Sequence, residues 1–122
     1  MKKYQKLIFV DENDTIRGPM AEAIMRKKYL LEPMEICSRG LVVLFPEPVN
    51  QKAEAVLVSN GLTAKEHTAA QLKQEEIDEA TLILTMEEEY KSRIWNTYEN
   101  AQHVYLLTEY LHLSGEIPKL YG

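Results

Sequence analysis

Alternating strand and helix signals predict a single three-layer α/β domain over residues 1–122, a four-stranded parallel sheet flanked by helices. Three observations carry that expectation. Four apolar runs of strand length are separated by stretches with helical spacing. Strands joined through helices pair in parallel with right-handed crossovers. A chain of 122 residues also suits one compact core that needs no metal or disulfide staple.

The first strand is read at "KLIFV" (6–10). A helix follows from Pro19, a favoured first-turn residue, with Met20, Ala23, Ile24 and Leu31 on one stripe and Pro33 as its stop. The second strand is "MEIC" (34–37). A helix over about 49–60 groups Val49, Ala53, Val56 and Leu57 and closes at Asn60-Gly61, a C-terminal signal. A helical segment at 70–78, the strand "ATLILTM" (80–86), a helix at 87–98 and the strand "HVYLL" (103–107) complete the order. The glutamates of "KQEEIDE" (73–79) and "EEE" (87–89) read as solvated helix faces.

Composition excludes several classes of function. Hydrophobic residues at 45% and charged residues at 27% describe a globular chain rather than a disordered one. Fourteen Lys and Arg against nineteen Asp and Glu give a net charge of −5, which argues against nucleic-acid and anionic-membrane partners. The N-terminal apolar run is too short for a signal peptide, and no later run approaches the ~20 residues of a membrane span. With a single Cys37, which reads as a small buried hydrophobe, this predicts a cytoplasmic protein without a disulfide.

Chemistry concentrates in "LIFVDENDTIRGPMAEAIM" (7–25), where a strand runs through a polar loop into a helix. In a parallel sheet that position lies at the carboxyl ends of the strands, where ligands bind. Loop N–H groups and a helix N-terminus attract anions, and Arg17 can add a bidentate fork to phosphate. Against this stand three carboxylates, Asp11, Glu12 and Asp14. The same residues also read as a solvated polar turn, and Asp11 and Asp14 are weak candidates for a hard cation; no cofactor is implied.

The stretch "FVDENDTIRGPMAEAIM" resembles the signature of the low-molecular-weight protein tyrosine phosphatases, C-x-x-x-x-x-R-S-P-M-A-E after a strand. "SRGL" (38–41) resembles the family's S-A-G element, "HTAAQL" (67–72) its H-x-x-x-x-L segment, and "ATLILTMEEEYK" (80–91) its A-D-L-I-L-T-M strand and helix. "VYLLTEY" and "GEIPKLYG" are similar to the approach to its D-P-Y-G acid loop. The resemblance implies a phosphotyrosine protein phosphatase I-like fold. It aligns Asp11, Glu12, Asn13, Asp14, Thr15, Ile16, Arg17 and Gly18 with the phosphate loop, and Ser38 and His67 with the residues that support it from beneath. Thr15 stands where phosphoarginine-selective relatives also keep threonine.

Departures from the family fall on its chemistry. Asp11 occupies the position of the nucleophilic cysteine, Asp14 that of the loop asparagine, Gly18 that of the serine supporting the thiolate, and Lys119-Leu120 replaces the D-P pair that carries the general acid. The implied protein is a pseudophosphatase acting as a binding or regulatory module. One alternative is a residual phosphatase for phosphotyrosine or phosphoarginine with Asp11 as phosphoryl acceptor; another is an oligomerisation or scaffold module. "LIFVDENDTI" also has the outline of the haloacid-dehalogenase motif D-x-D-x-T, with Asn13 in the second acidic place.

A carboxylate about 5 Å from a phosphate dianion costs roughly 6 kcal/mol at an effective dielectric near ~20, while an arginine hydrogen bond returns roughly 1.5–3. Asp11 is therefore expected to accept the loop amides and pair with Arg17, standing where phosphate would bind, while Glu12 and Asp14 point outward. The chain also stops where the family continues into a final helix that covers the sheet, so a homodimer or an unknown protein partner is expected on that face.

Overall fold

A computed structural model describes residues 4–28 and 34–110. Four parallel strands form one sheet: β1 (Lys6–Asp11), β2 (Glu35–Gly40), β3 (Thr81–Thr85) and β4 (His103–Leu106), in the order β2-β1-β3-β4. The helices are α1 (Arg17–Lys28), α2 (Gln51–Ser59), α3 (Glu88–Thr97) and the short α4 (Leu107–Tyr110). The predicted fold class holds.

Burial of both sheet faces explains why the strands read as unbroken apolar runs rather than alternating ones. Side chains of β1 alternate between two cores. Leu7 and Phe9 join Ile36, Leu82, Leu84, Met86 and Tyr90 on one side, closed by Ala21 and Met25 of α1. Ile8 and Val10 join Cys37, Leu72, Ile77, Ile83, Ile94 and Val104 on the other. Burial of the Cys37 thiol pushes its pKa up to about 11, so it behaves as a small hydrophobe.

Several sequence expectations need correction. α1 begins at Arg17, two residues before Pro19, and the stripe through Ile24 is not its core face, since Ile24 is exposed while Ala21 and Met25 pack inward. Leu31 and Pro33 lie outside the described residues. α2 buries Ala53 and Leu57 as expected but leaves Val56 exposed, and Asn50 caps it by accepting from the N–H groups of Lys52 and Ala53. The segment 70–78 is not a helix: only a single 3₁₀ turn forms at Gln74–Glu76. Its neighbours run extended because the backbone of Gly40 bonds across to Ala70 and Leu72. β2 continues past Cys37 to Gly40, and α4 follows β4 without a sequence expectation.

Sheet order places the site. β1 is central, with β2 on one side and β3 on the other, so the chain switches direction across the sheet at the carboxyl end of β1. The loop after Asp11 opens there. The segment after β2 fastens it: Leu41 N–H donates to the Asp11 carbonyl, Val42 N–H to the Glu12 carbonyl and Asn50 N–H to the Thr15 carbonyl.

Gly40 is the closest approach in this arrangement. A Cβ there would lie 2.6 Å from Val43 Cγ2, 2.9 Å from the Asn13 carbonyl carbon and 3.0 Å from the Glu12 oxygen. Gly40→Ala is expected to lower unfolding stability by about 1–3 kcal/mol, read by urea denaturation, because the obstructing atoms are largely backbone and cannot rotate away.

Candidate functional site: the Asp11–Gly18 loop

Strand β1 ends with Asp11, and six residues later α1 begins. Asp14 turns the chain between them with φ at 61°, a left-handed conformation that aspartate tolerates better than most residues. The turn brings the Asp14 N–H to 2.6 Å from Asp11 Oδ1, and the start of α1 brings the Gly18 N–H to 2.9 Å from Asp11 Oδ2. Asp11 is 3% exposed, with a loop amide on each carboxylate oxygen. Burial pushes its pKa up, opposed by those two amides and by Arg17 and His67.

Asp14 does not point outward, contrary to expectation. It is fully buried beneath the loop, with Oδ2 accepting the Ala70 N–H at 3.0 Å. His67 Nε2 sits 2.7 Å from the Asp14 carbonyl oxygen and 3.4 Å from Oδ2. Burial pushes the Asp14 carboxyl up to about 6; the Ser38 hydroxyl, the Ala70 N–H and His67 oppose the shift, and the Asp11 charge reinforces it. Ser38 faces Asp14 but falls short of hydrogen-bond geometry, which leaves Ser38 Oγ and Asp14 Oδ1 buried without a formal partner. Ser38 and His67 thus lie under the loop. Gly18 sits close against this group: a Cβ there would lie 3.3 Å from both Asp14 Oδ1 and Ser38 Cβ and 3.5 Å from Asp11 Cγ.

The expected pairing of Arg17 with Asp11 does not form. Arg17 Nη2 donates to Glu87 Oε2 at 2.7 Å and to the Tyr90 hydroxyl at 3.4 Å, while Nη1 is buried without a partner. With the loop amides on Asp11, the guanidinium goes instead to a second carboxylate, Glu87 in the turn between β3 and α3. Glu12 does point outward, to Arg93 at 3.0 Å, and Thr15 Oγ1 donates to Asn13 Oδ1. Among the described residues, no acceptor meets the backbone N–H groups of Asn13, Thr15, Ile16 or Arg17. Asp11 and Asp14, the cation candidates, direct oxygens onto backbone amides instead, and the described residues contain no cluster of three metal-ligating side chains.

A strand, an amide-lined loop closed by arginine and a helix N-terminus form the layout of a phosphate cradle. Residues 6–119 match the family profile described as low molecular weight phosphotyrosine protein phosphatase. The chain belongs to that family. It is 31% identical over 117 residues to the low-molecular-weight protein-tyrosine-phosphatase PtpB of Staphylococcus haemolyticus, covering 96% of this chain and 82% of that protein. The protein-arginine-phosphatase of Geobacillus stearothermophilus is 33% identical over 97 residues, 80% of this chain and 64% of the relative. The crystal structure of the low-molecular-weight protein tyrosine phosphatase from T. tengcongensis superposes with a TM-score of 0.86 at 30% identity, covering 97% and 83% of the two chains. The YwlE arginine phosphatase of Geobacillus stearothermophilus gives 0.86 at 30% identity, covering 97% and 77%.

The resemblance implies Asp11 at the family's nucleophile position and Arg17 as its loop arginine, and the structure places them at the two ends of the loop between β1 and α1. Lys119, at the general-acid position, lies outside the described residues. Glu87 and Tyr90 escaped the sequence reading, which placed 87–89 on a solvated face. The available signal was that Glu87 follows an apolar strand at the same sheet end as the loop.

Because the folded Asp14 binds its proton more tightly than an unfolded aspartate, its contribution to stability is full below the ordinary aspartate range and is lost as pH rises through about 6. Asp14→Asn removes that loss. The variant is expected to be more stable than the parent by about 1–3 kcal/mol near pH ~8, with the gain vanishing near pH ~4, as measured by denaturant unfolding at both.

Proposed function

We propose that this domain receives phosphorylated protein side chains at the 11–18 loop as a binding or regulatory module, without the cysteine-based turnover of its family's signature. The observation that carries the reading is the amide on each oxygen of the buried Asp11 carboxylate. Hydrogen bonds to both oxygens draw charge away from the group that would attack phosphorus, and Gly18 offers no hydroxyl to assist it.

The comparisons favour a second reading, because the relatives named above are tyrosine or arginine phosphatases. In it the chain is a phosphomonoester hydrolase with Asp11 as acceptor. An Asp11 oxygen attacks phosphorus, the bond to the tyrosine oxygen or arginine nitrogen breaks with that atom taking a proton from water, and a second water then cleaves the aspartyl phosphate, releasing inorganic phosphate and restoring the carboxylate. The unpartnered N–H groups of Asn13, Thr15, Ile16 and Arg17 and the free Arg17 Nη1 suit either reading, since they can hold the phosphoryl oxygens. An unknown protein or a second copy as partner belongs to both, and a pure oligomerisation module would need no ligand at the loop.

Hydrolysis of para-nitrophenyl phosphate, phosphotyrosine and phosphoarginine by the parent and by Asp11→Asn, with and without magnesium, separates the readings. The binding module is expected to show no turnover from either protein, with phosphotyrosine or phosphoarginine shifting the amide resonances of residues 13–17. Turnover that Asp11→Asn abolishes would establish the aspartyl acceptor. Absence of both turnover and shifts would leave the oligomerisation module.

A further inference from the structure

We propose that the loop takes up one proton, carried by the buried acid pair of Asp11 and Asp14, with each oxyanion that it binds. The inference rests on the reading that the loop receives oxyanions at all. It deepens that reading by naming what controls the site.

Two acids share one enclosed space. Asp11 is 3% exposed and Asp14 0%. The Asp14 N–H bonded to Asp11 Oδ1 fixes them side by side, and both carboxyl groups approach the volume that a side chain at Gly18 would fill. Backbone amides take both Asp11 oxygens and one Asp14 oxygen; the other, Asp14 Oδ1, is buried opposite Ser38 without a formal partner. That atom can carry a proton without giving up a bond already made.

Surrounding cations are mostly committed elsewhere. On the loop, Glu12 turns out to Arg93. Arg17, from α1, is held by Glu87 and Tyr90 from the turn into α3 and from α3 itself. Arg39, from β2, is held by Glu76 and the Ser38 carbonyl. From the 67–70 segment the Ala70 N–H bonds Asp14 Oδ2, and His67 is the described titratable side chain that meets Asp14, at 3.4 Å, while also contacting the Asp14 carbonyl. An incoming oxyanion can still take the Arg17 Nη1 and the loop N–H groups, but because the charge of Arg17 is already paired with Glu87 it would add net negative charge beside two buried carboxylates. Neutralising one carboxylate removes the larger part of that repulsion. The direction of both acids' shifts, upward through burial, agrees.

Sulfate is the probe, because it stays a dianion across the range tested. Its affinity is measured by calorimetry at constant ionic strength from about pH 5 to about pH 8, in two buffers of different ionisation enthalpy, which counts the protons taken up. Uptake approaching one proton, with affinity falling up to ~10-fold per pH unit in the upper range, is expected of the parent. In Asp14→Asn the dependence should flatten and affinity near pH ~8 should rise toward the parent's value near pH ~5, whereas His67→Gln should keep the parent's slope. The carboxyl ¹³C resonances of Asp11 and Asp14 should move together on the same titration. Sulfate binding with no proton uptake would overturn the inference and leave the binding module intact. A slope kept by Asp14→Asn but lost in His67→Gln would also overturn it by assigning the proton to the imidazole. No sulfate binding by the parent at any pH would overturn both readings.

Discussion

Everything distinctive about this site depends on one carboxylate gripping two backbone amides. Asp11 gathers the N–H groups of Asp14 and Gly18, one on each oxygen, and so ties the middle of the loop and the first turn of α1 to the end of β1. Without that grip the loop would carry two buried donors with no acceptor and a buried charge with no donors, each a penalty of at least a few kcal/mol. The same grip explains where the other charges go. Asp11 already has its donors, so Arg17 turns to Glu87 and Tyr90.

The exchange of serine for glycine at position 18 belongs with the acids. The loop carries carboxylates at positions 11 and 14 and no side chain at position 18, where the sequence resemblance implied cysteine, asparagine and serine. The place of a Gly18 side chain is hemmed in by Asp14 Oδ1, Ser38 Cβ and Asp11 Cγ, all within 3.5 Å of where a Cβ would stand. A bulkier residue there would press on both acids. Three departures that look separate along the chain occupy one volume in space and read as one adaptation to buried negative charge.

The sheet was legible in the sequence because burial on both faces leaves unbroken apolar runs, and the 3.6-residue pattern located α2 and α3 within a few residues. The segment 70–78 was misread because its Glu- and Gln-rich composition suits a helix while tertiary bonds from Gly40 hold its first part extended. Ile24 was misplaced because the expected stripe ran through this more hydrophobic residue, whereas the face that packs inward carries Ala21 and Met25, four residues apart. In the site, position along the strand located Asp11 and the family pattern located Ser38 and His67. The direction of Asp14 and the partner of Arg17 were not legible: the first follows from a single left-handed residue, and the second joins groups 70 residues apart in the chain.

The loop is also held from outside, through its carbonyls. The N–H groups of Leu41, Val42 and Asn50 reach the carbonyls of Asp11, Glu12 and Thr15, and these bonds are indifferent to the side chains on either partner. A ring clamped by main chain around its rim can exchange the group at its centre, thiol for carboxylate, without first losing its shape. Such a scaffold lets the centre change its chemistry in small steps while the enclosure stays in place. The side chains of Leu44 and Phe45, exposed on the clamping segment itself, stand outside that main-chain network, so what the loop encloses and what its rim presents to solvent are set by different residues.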